Sequence, residues 1–241
     1  MRLRSLAIVG LVSVWCTPAR AYRPFDQTDA DVAKPRELEL EVGPLQLLHL
    51  PGRTQLAPNF VVNFGVLERV EAVVEGRSGI ALGRLARGDA RWAFDPSLLL
   101  KAVLREGSLQ EAQGPSLALE AGVLLPDVPA GGSAGASLAL IASQRWPLLT
   151  AHLNAQVERS RERSTDVLGG AIVEGPAAWR LRPVAEAWVA RAGGAISTSL
   201  LGGAIWRVGE ELSLDGAARV VLVPLRAVYE VRLGFTWALA V

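Results

Sequence analysis

The chain has 241 residues, of which 50% are hydrophobic and 20% charged, with 25 basic residues against 24 acidic ones. This length is ample for a folded core, and the composition excludes a disordered low-complexity chain. The charges alternate in sign without forming a basic block, so nothing in the sequence indicates a nucleic-acid partner.

The first 21 residues predict export. A basic start is followed by an apolar run from Leu6 to Trp15 and by small residues up to Ala21, which is typical of a secretory signal peptide cleaved after Ala21. The alternatives are a buried helix or a membrane anchor, but the run is too short to cross about 30 Å of hydrocarbon as a helix. Cleavage removes three basic residues, leaving a net charge of 22 − 24 = −2, together with the single cysteine, Cys16. The mature chain therefore has no disulfide and no thiolate chemistry.

Period-two alternation dominates the rest of the chain. At its start, Glu39 and Glu41 share one face of a strand while Leu38 and Leu40 share the other. The pattern recurs in twelve segments, and no stretch after residue 21 reaches the roughly 18 apolar residues of a spanning helix. Strands of about ten residues, each with one apolar face, fit either a soluble β-sandwich or a transmembrane β-barrel.

The composition of the two faces favours the barrel. The apolar faces are Leu, Val and Ala, and charges of both signs share the opposite face, whereas Arg or Lys on a lipid face costs about 2 to 4 kcal/mol near the midplane. We therefore predict an all-β fold, an antiparallel transmembrane β-barrel of about twelve strands over residues 37–241, with the first strand near 37–48 pairing with the last near 229–240. Residues 22–36 are predicted as a polar N-terminal lead-in or a plug. The predicted lumen-lining side chains are Glu39, Glu41, Asn63, Glu71, Glu75, Lys101, Arg105, Glu120, His152, Asn154, Gln156, Arg182, Glu186, Asp215, Arg219, Glu230 and Arg232.

Tryptophan positions are consistent with this topology. If the strands alternate up and down and both chain ends are periplasmic, one membrane face carries Trp146, Trp179, Trp206 and Trp237. Four indoles at one level predict an interfacial aromatic belt. The alternative is that they mark strand ends, as tryptophans do in many soluble β proteins.

The C-terminal strand carries a pattern of its own. A polar residue, a glycine and two hydrophobic residues stand at Arg232, Gly234, Trp237 and Leu239. This order resembles the strand by which the outer-membrane assembly machinery recognises barrels, although Val241 rather than an aromatic residue ends the chain. We predict an assembly signal here.

Several strings together resemble a known family. They occupy residues 22–30, the Glu-Leu repeat at 37–41, residues 61–65 and 67–71, the strand around Lys101, and residues 116–120 and 209–215. In this order they resemble a bacterial family of outer-membrane barrels labelled phenol-degradation-pathway (MetA-pathway) proteins. The resemblance implies an outer-membrane location and a transport role, and it supplies no catalytic residues.

Candidate catalytic and metal-binding groups are few. The histidines are His49 and His152, so a zinc site of ordinary composition is not expected. His152 and Asn154 share a polar strand face that a barrel hydrolase could use, but spacing places no serine beside them. We predict no enzyme, cofactor or metal, and instead a passive channel for small molecules in the outer-membrane lipid of a Gram-negative envelope. A non-conducting structural or surface-interaction barrel is the alternative, and a hydrolase comes third.

Overall fold

The computed structural model describes residues 23–50, 52–83, 92–128, 132–224 and 226–241. The predicted signal peptide lies outside the described residues. The strands are β1 Glu37–Leu50, β2 Arg53–Leu56, β3 Asn59–Leu67, β4 Val70–Leu82, β5 Trp92–Arg105, β6 Ser116–Leu124, β7 Gly135–Arg145, β8 Thr150–Arg159, β9 Thr165–Glu174, β10 Leu181–Ala192, β11 Ala195–Arg207, β12 Leu212–Val223 and β13 Arg226–Ala240. A 3₁₀ turn, Ser108–Gln110, precedes β6. Among the described residues, no helix has the length and apolarity needed to cross a membrane.

Two of these strands share one position in the wall. Both β2 and β3 lie between β1 and β4 and pair with each of them. The interruption contains Pro58, which has no N–H to donate to a neighbouring strand. Counted as one interrupted strand, β2 and β3 give a barrel of twelve positions.

The sheet closes on itself through its first and last strands. β1 pairs antiparallel with β13 from Glu37 opposite Ala240 to His49 opposite Tyr229, with a register shift between Val42 and Leu45. The remaining neighbours also pair antiparallel, so the closed sheet has no free edge. This confirms the predicted all-β antiparallel barrel of about twelve strands.

Side chains alternate between a buried and an exposed face along the strands. In β5, Leu99 and Lys101 are buried whereas Leu98 and Leu100 are exposed. Large apolar side chains exposed around the barrel include Leu100, Leu104, Leu140, Leu153, Leu181, Val189, Leu200, Leu222 and Val231. The outer surface is therefore apolar and the inner surface is largely polar.

Apolar packing inside the barrel is confined to small clusters. One joins Val184 and Ile205 with Phe25, and another joins Ala30, Ala118 and Ile141. Each cluster contains a residue from the part of the chain that precedes β1. The interior is thus unlike the continuous hydrophobic core of a soluble sandwich.

Candidate functional site

The barrel interior contains most of the polar side chains that the alternation assigned to it. The structure buries Glu39, Glu41, Asn63, Glu71, Lys101, His152, Asn154, Glu186, Asp215, Arg219, Glu230 and Arg232. The side chains of the same face that are partly buried are Glu75, Glu120, Gln156 and Arg182. Their position is inside the barrel, while their role in lining a conducting lumen stays a prediction.

Arg105 lies apart from this set. It is exposed at the end of β5, where the register against β6 shifts between Val103 and Arg105. A bulge of this kind interrupts the regular alternation of the strand. The guanidinium of Arg105 lies beside Gly114 in the connection to β6. Strict alternation predicted Arg105 for the lumen, and the bulge places it instead at the barrel end where β1 begins and β13 ends.

Residues 23–34, here called the inner segment, lie inside the barrel. The main-chain N–H of Ala33 donates to a Glu71 carboxylate oxygen at 2.6 Å, and that of Ala30 donates to the Ser143 hydroxyl at 2.9 Å. Just beyond the segment, Pro35 forms a bridge with Gly65 of β3. The described part of the predicted lead-in or plug therefore occupies the lumen, and its action as a plug is a proposal made below.

Glycines in the wall provide room for the inner segment. A Cβ on Gly65 would overlap the carbonyl oxygen of Lys34, and a Cβ on Gly234 would overlap the guanidinium of Arg23. Glycine allows another backbone or side chain to approach a strand this closely. Gly234, which the sequence placed in the assembly signal, therefore also contacts the inner segment.

Arg23 anchors one end of the inner segment. Its Nε lies 3.3 Å from a carboxylate oxygen of Asp215, and its Nη1 donates to the Asn59 side-chain oxygen at 2.6 Å. Its main-chain N–H donates to Glu41 at 3.2 Å, and Glu41 also accepts from the Asn63 amide at 3.1 Å. Buried charges need partners of this kind. Wall residues from three strands, β1, β3 and β12, supply them.

Asp26 contacts three arginines of the wall. Its carboxylate accepts two hydrogen bonds from Arg219, one of them from Nη2 at 3.0 Å, and one from Arg232 Nη2 at 3.1 Å. Arg77 Nη2 lies 3.8 Å away, and the Trp188 indole N–H donates at 3.2 Å. A single carboxylate of the inner segment thus compensates several cations of the barrel wall.

Lys101 forms a second buried charge centre. Its side chain is 1% exposed, and its Nζ lies 3.3 Å from Glu71 and 3.7 Å from Asp29. The ammonium also donates to the Thr28 hydroxyl at 3.1 Å. Glu120 stands opposite Lys101 in the register of β5 and β6. This lysine therefore links the inner segment to acidic residues of the wall.

A chain of hydrogen bonds joins Ser143, His152 and Glu174 across three neighbouring strands. The Ser143 hydroxyl lies 2.8 Å from His152 Nδ1, and His152 Nε2 lies 3.0 Å from one carboxylate oxygen of Glu174. The other carboxylate oxygen of Glu174 forms an ion pair with Arg182. These residue types occur in serine hydrolases. Ser143 is 1% exposed and accepts the Ala30 N–H, so the inner segment covers it. In this conformation the chain of bonds holds the segment and offers no path to a substrate.

The alternation predicted an inward-facing His152 but did not indicate that Ser143 and Glu174 are its partners. Ser143 stands opposite His152 in the register of β7 and β8, and Glu174 is two residues beyond the residue opposite His152 in β9. Only the strand register brings the three together. No group of His, Cys, Asp and Glu able to hold a metal ion occurs among the described residues.

Two polar cavities remain between the inner segment and the wall. The larger, of about 280 Å³, is lined by Phe25, Asp26, Glu75, Arg77 and Arg161, among others. A smaller cavity of about 90 Å³ shares Phe25 and Asp26 with it. The inner segment therefore borders both of these adjoining spaces, and Asp26 lines each of them.

The four predicted belt tryptophans lie at the barrel end where β1 begins and β13 ends. Trp146 and Trp179 lie in connections between strands, and Trp206 and Trp237 lie near the ends of β11 and β13. All four are exposed, by 42 to 56%. This position and exposure are those an interfacial belt requires, and the belt stays a prediction.

The fold and the interior together describe a closed β-barrel with an apolar outer surface and an occupied, charged lumen. No family model and no curated protein sequence matches the chain. Among solved structures, an outer-membrane channel from Pseudomonas putida F1 matches with a TM-score of 0.63 and 10% identity over 89% of this chain and 100% of that chain. The KdgM porin in complex with disordered oligogalacturonate matches with a TM-score of 0.55 and 8% identity over 83% of this chain and 98% of that one. At these identities the likeness shows the fold alone, and the phenol-degradation-pathway label stays a prediction.

Proposed function

We propose that this protein is an outer-membrane channel for small molecules, and that the inner segment is a plug that closes the channel in the conformation described here. The proposal includes export by the predicted signal peptide and recognition of the C-terminal strand by the assembly machinery. The apolar outer surface and the closed hydrogen-bonded wall are what a barrel in lipid requires. The solved structures of similar fold, an outer-membrane channel and a porin, support the same function.

The observation that carries the proposal is the way the inner segment is held. Its charged groups pair with charged groups of the wall, Arg23 with Asp215 and Asp26 with Arg219, and its apolar contacts are confined to small clusters. Polar contacts that water and ions can replace allow such a segment to leave and return.

A disulfide across the plug tests this function. Ala30 of the inner segment and Ala118 of β6 are buried in one cluster, and the mature chain has no cysteine of its own. The double variant Ala30→Cys/Ala118→Cys, refolded and placed in a planar bilayer, should conduct when reduced and lose most of its current when oxidised. The two single-cysteine variants are the controls, and their current should not depend on oxidation.

The two outcomes separate the channel from its alternative. Current that appears on reduction and disappears on oxidation supports a channel gated by the inner segment. A silent bilayer in both states, from protein whose gel migration remains heat-modifiable, would contradict it and support the non-conducting barrel. Recovery of the native protein as a soluble monomer without detergent would contradict the membrane location as well.

A further inference from the structure

Three arginines of the wall surround a carboxylate that does not belong to the wall. Arg77, Arg219 and Arg232 all approach Asp26 of the inner segment. The wall carboxylate bonded to two of them is Glu230, which accepts from Arg219 Nε at 2.9 Å and from Arg232 Nε at 2.6 Å. Two of the three guanidinium groups therefore share one wall carboxylate, and Asp26 of the inner segment supplies a second.

The charge balance changes when the plug leaves. Glu186 also faces this region, where it accepts the Asp26 main-chain N–H at 3.1 Å. Without Asp26, Arg219 and Arg232 keep Glu230 as a partner and lose the second carboxylate that both of them bind. A guanidinium that loses its partner in a partly buried site is costly. The emptied site therefore favours another anion in place of Asp26.

We infer that Arg77, Arg219 and Arg232 form a binding site for solutes that carry a carboxylate, and that Asp26 occupies this site as an intramolecular substitute. The inference deepens the proposed channel function and rests on it. The planar guanidinium fork matches the two oxygens of a carboxylate, and Arg219 already binds both oxygens of Asp26. A solute carboxylate that takes the place of Asp26 would loosen the plug.

The structure leaves room for such a solute to approach. The cavity of about 280 Å³ is lined by both Asp26 and Arg77. The Arg77 side chain is 52% exposed, so this side of the site reaches solvent. The Trp188 indole N–H adds a further donor for a carboxylate oxygen. A small organic anion can therefore meet Arg77 first and the two buried arginines after Asp26 moves.

Benzoate binding to folded protein in detergent tests the site without requiring conduction. Asp26→Asn removes the competing charge while leaving the barrel wall intact, and isothermal titration should show benzoate binding about tenfold tighter than to the native protein. Asp29→Asn is the matched control, because it makes the same change in the same segment but beside Lys101. Benzyl alcohol, which has the ring without the carboxylate, should give no binding heat. Heat-modifiable gel migration verifies folding of each variant.

A second variant tests the arginines directly. Arg77→Gln in the Asp26→Asn background should weaken benzoate binding again, and its exposed position keeps the barrel wall intact. Equal benzoate affinity in the native protein and Asp26→Asn overturns the inference, as does competition by chloride as strong as that by benzoate itself. If the protein conducts but does not bind benzoate, the binding site is wrong and the channel function stands. If the protein binds benzoate but does not conduct, the channel function is wrong and the binding site stands.

Discussion

Ala30 of the inner segment donates its main-chain N–H to the hydroxyl oxygen of Ser143 at 2.9 Å. Both residues are almost completely buried, at 0% and 1% exposed. Water therefore has little access to replace this bond while the inner segment is in place. The bond connects the inner segment to the hydrogen-bonded chain of His152 and Glu174, so its loss should show how firmly the segment is held.

Ser143→Ala should destabilise the folded protein by about 1 to 3 kcal/mol, because the Ala30 N–H and His152 lose a buried partner. The measurement is urea unfolding of the refolded protein in detergent micelles. Ser199→Ala is the matched control. Ser199 is equally buried on another strand, and its hydroxyl has no hydrogen-bond partner among the described residues. Equal losses for the two variants would show that the Ala30 contact contributes nothing specific.

Gly65→Ala should displace the start of β1 and the plug, because the added methyl group overlaps the Lys34 carbonyl oxygen. We expect faster proteolytic cleavage within residues 23–34 and more frequent opening in planar bilayers. Gly202→Ala is the control, since a Cβ on Gly202 meets no atom within 4 Å. If both variants resist protease as the native protein does, the close approach at Gly65 does not hold the plug.

The strand faces and the closure of the barrel could be predicted because a period of two assigns every side chain of a strand to one face. The path of the inner segment could not be predicted. The polar residues 22–36 fit a lead-in as well as a plug, and the glycines beside the inner segment are ordinary glycines in the sequence. Only the structure shows that Gly65 lies against the main chain of Lys34 and that Gly234 lies against the side chain of Arg23.

Two further differences have local causes. The bulge after Val103 removes Arg105 from the buried face, and bulges leave no clear mark in a run of alternating residues. Glu174 was missed because the alternation of residues 167–174 is weak, so its place beside His152 depends on the register of β8 and β9. Long-range register thus decided which polar groups meet, while local pattern decided only which way they face.

Lys101→Gln should raise the ratio of cation to anion permeability. The substitution removes the ammonium that pairs with Glu71 and stands opposite Glu120, and it leaves these wall carboxylates without that cation inside the barrel. The reversal potential in a salt gradient measures the ratio. Arg105→Gln is the matched control, because Arg105 is exposed at the barrel end and its loss should shift the ratio much less. Equal shifts would contradict the positions assigned to these two residues.

Leu153→Arg should impair assembly, because Leu153 is 60% exposed on the outer surface and a charge there would face lipid at a cost of about 2 to 4 kcal/mol near the midplane. Leu119→Arg, on the outer face of β6, should behave in the same way. Gln156→Arg in the same strand as Leu153 is the matched control, since Gln156 points inward and donates to the Ser137 hydroxyl at 3.1 Å. The fraction of heat-modifiable protein on a denaturing gel measures assembly. Equal assembly of all three variants would mean that the outer surface does not face lipid.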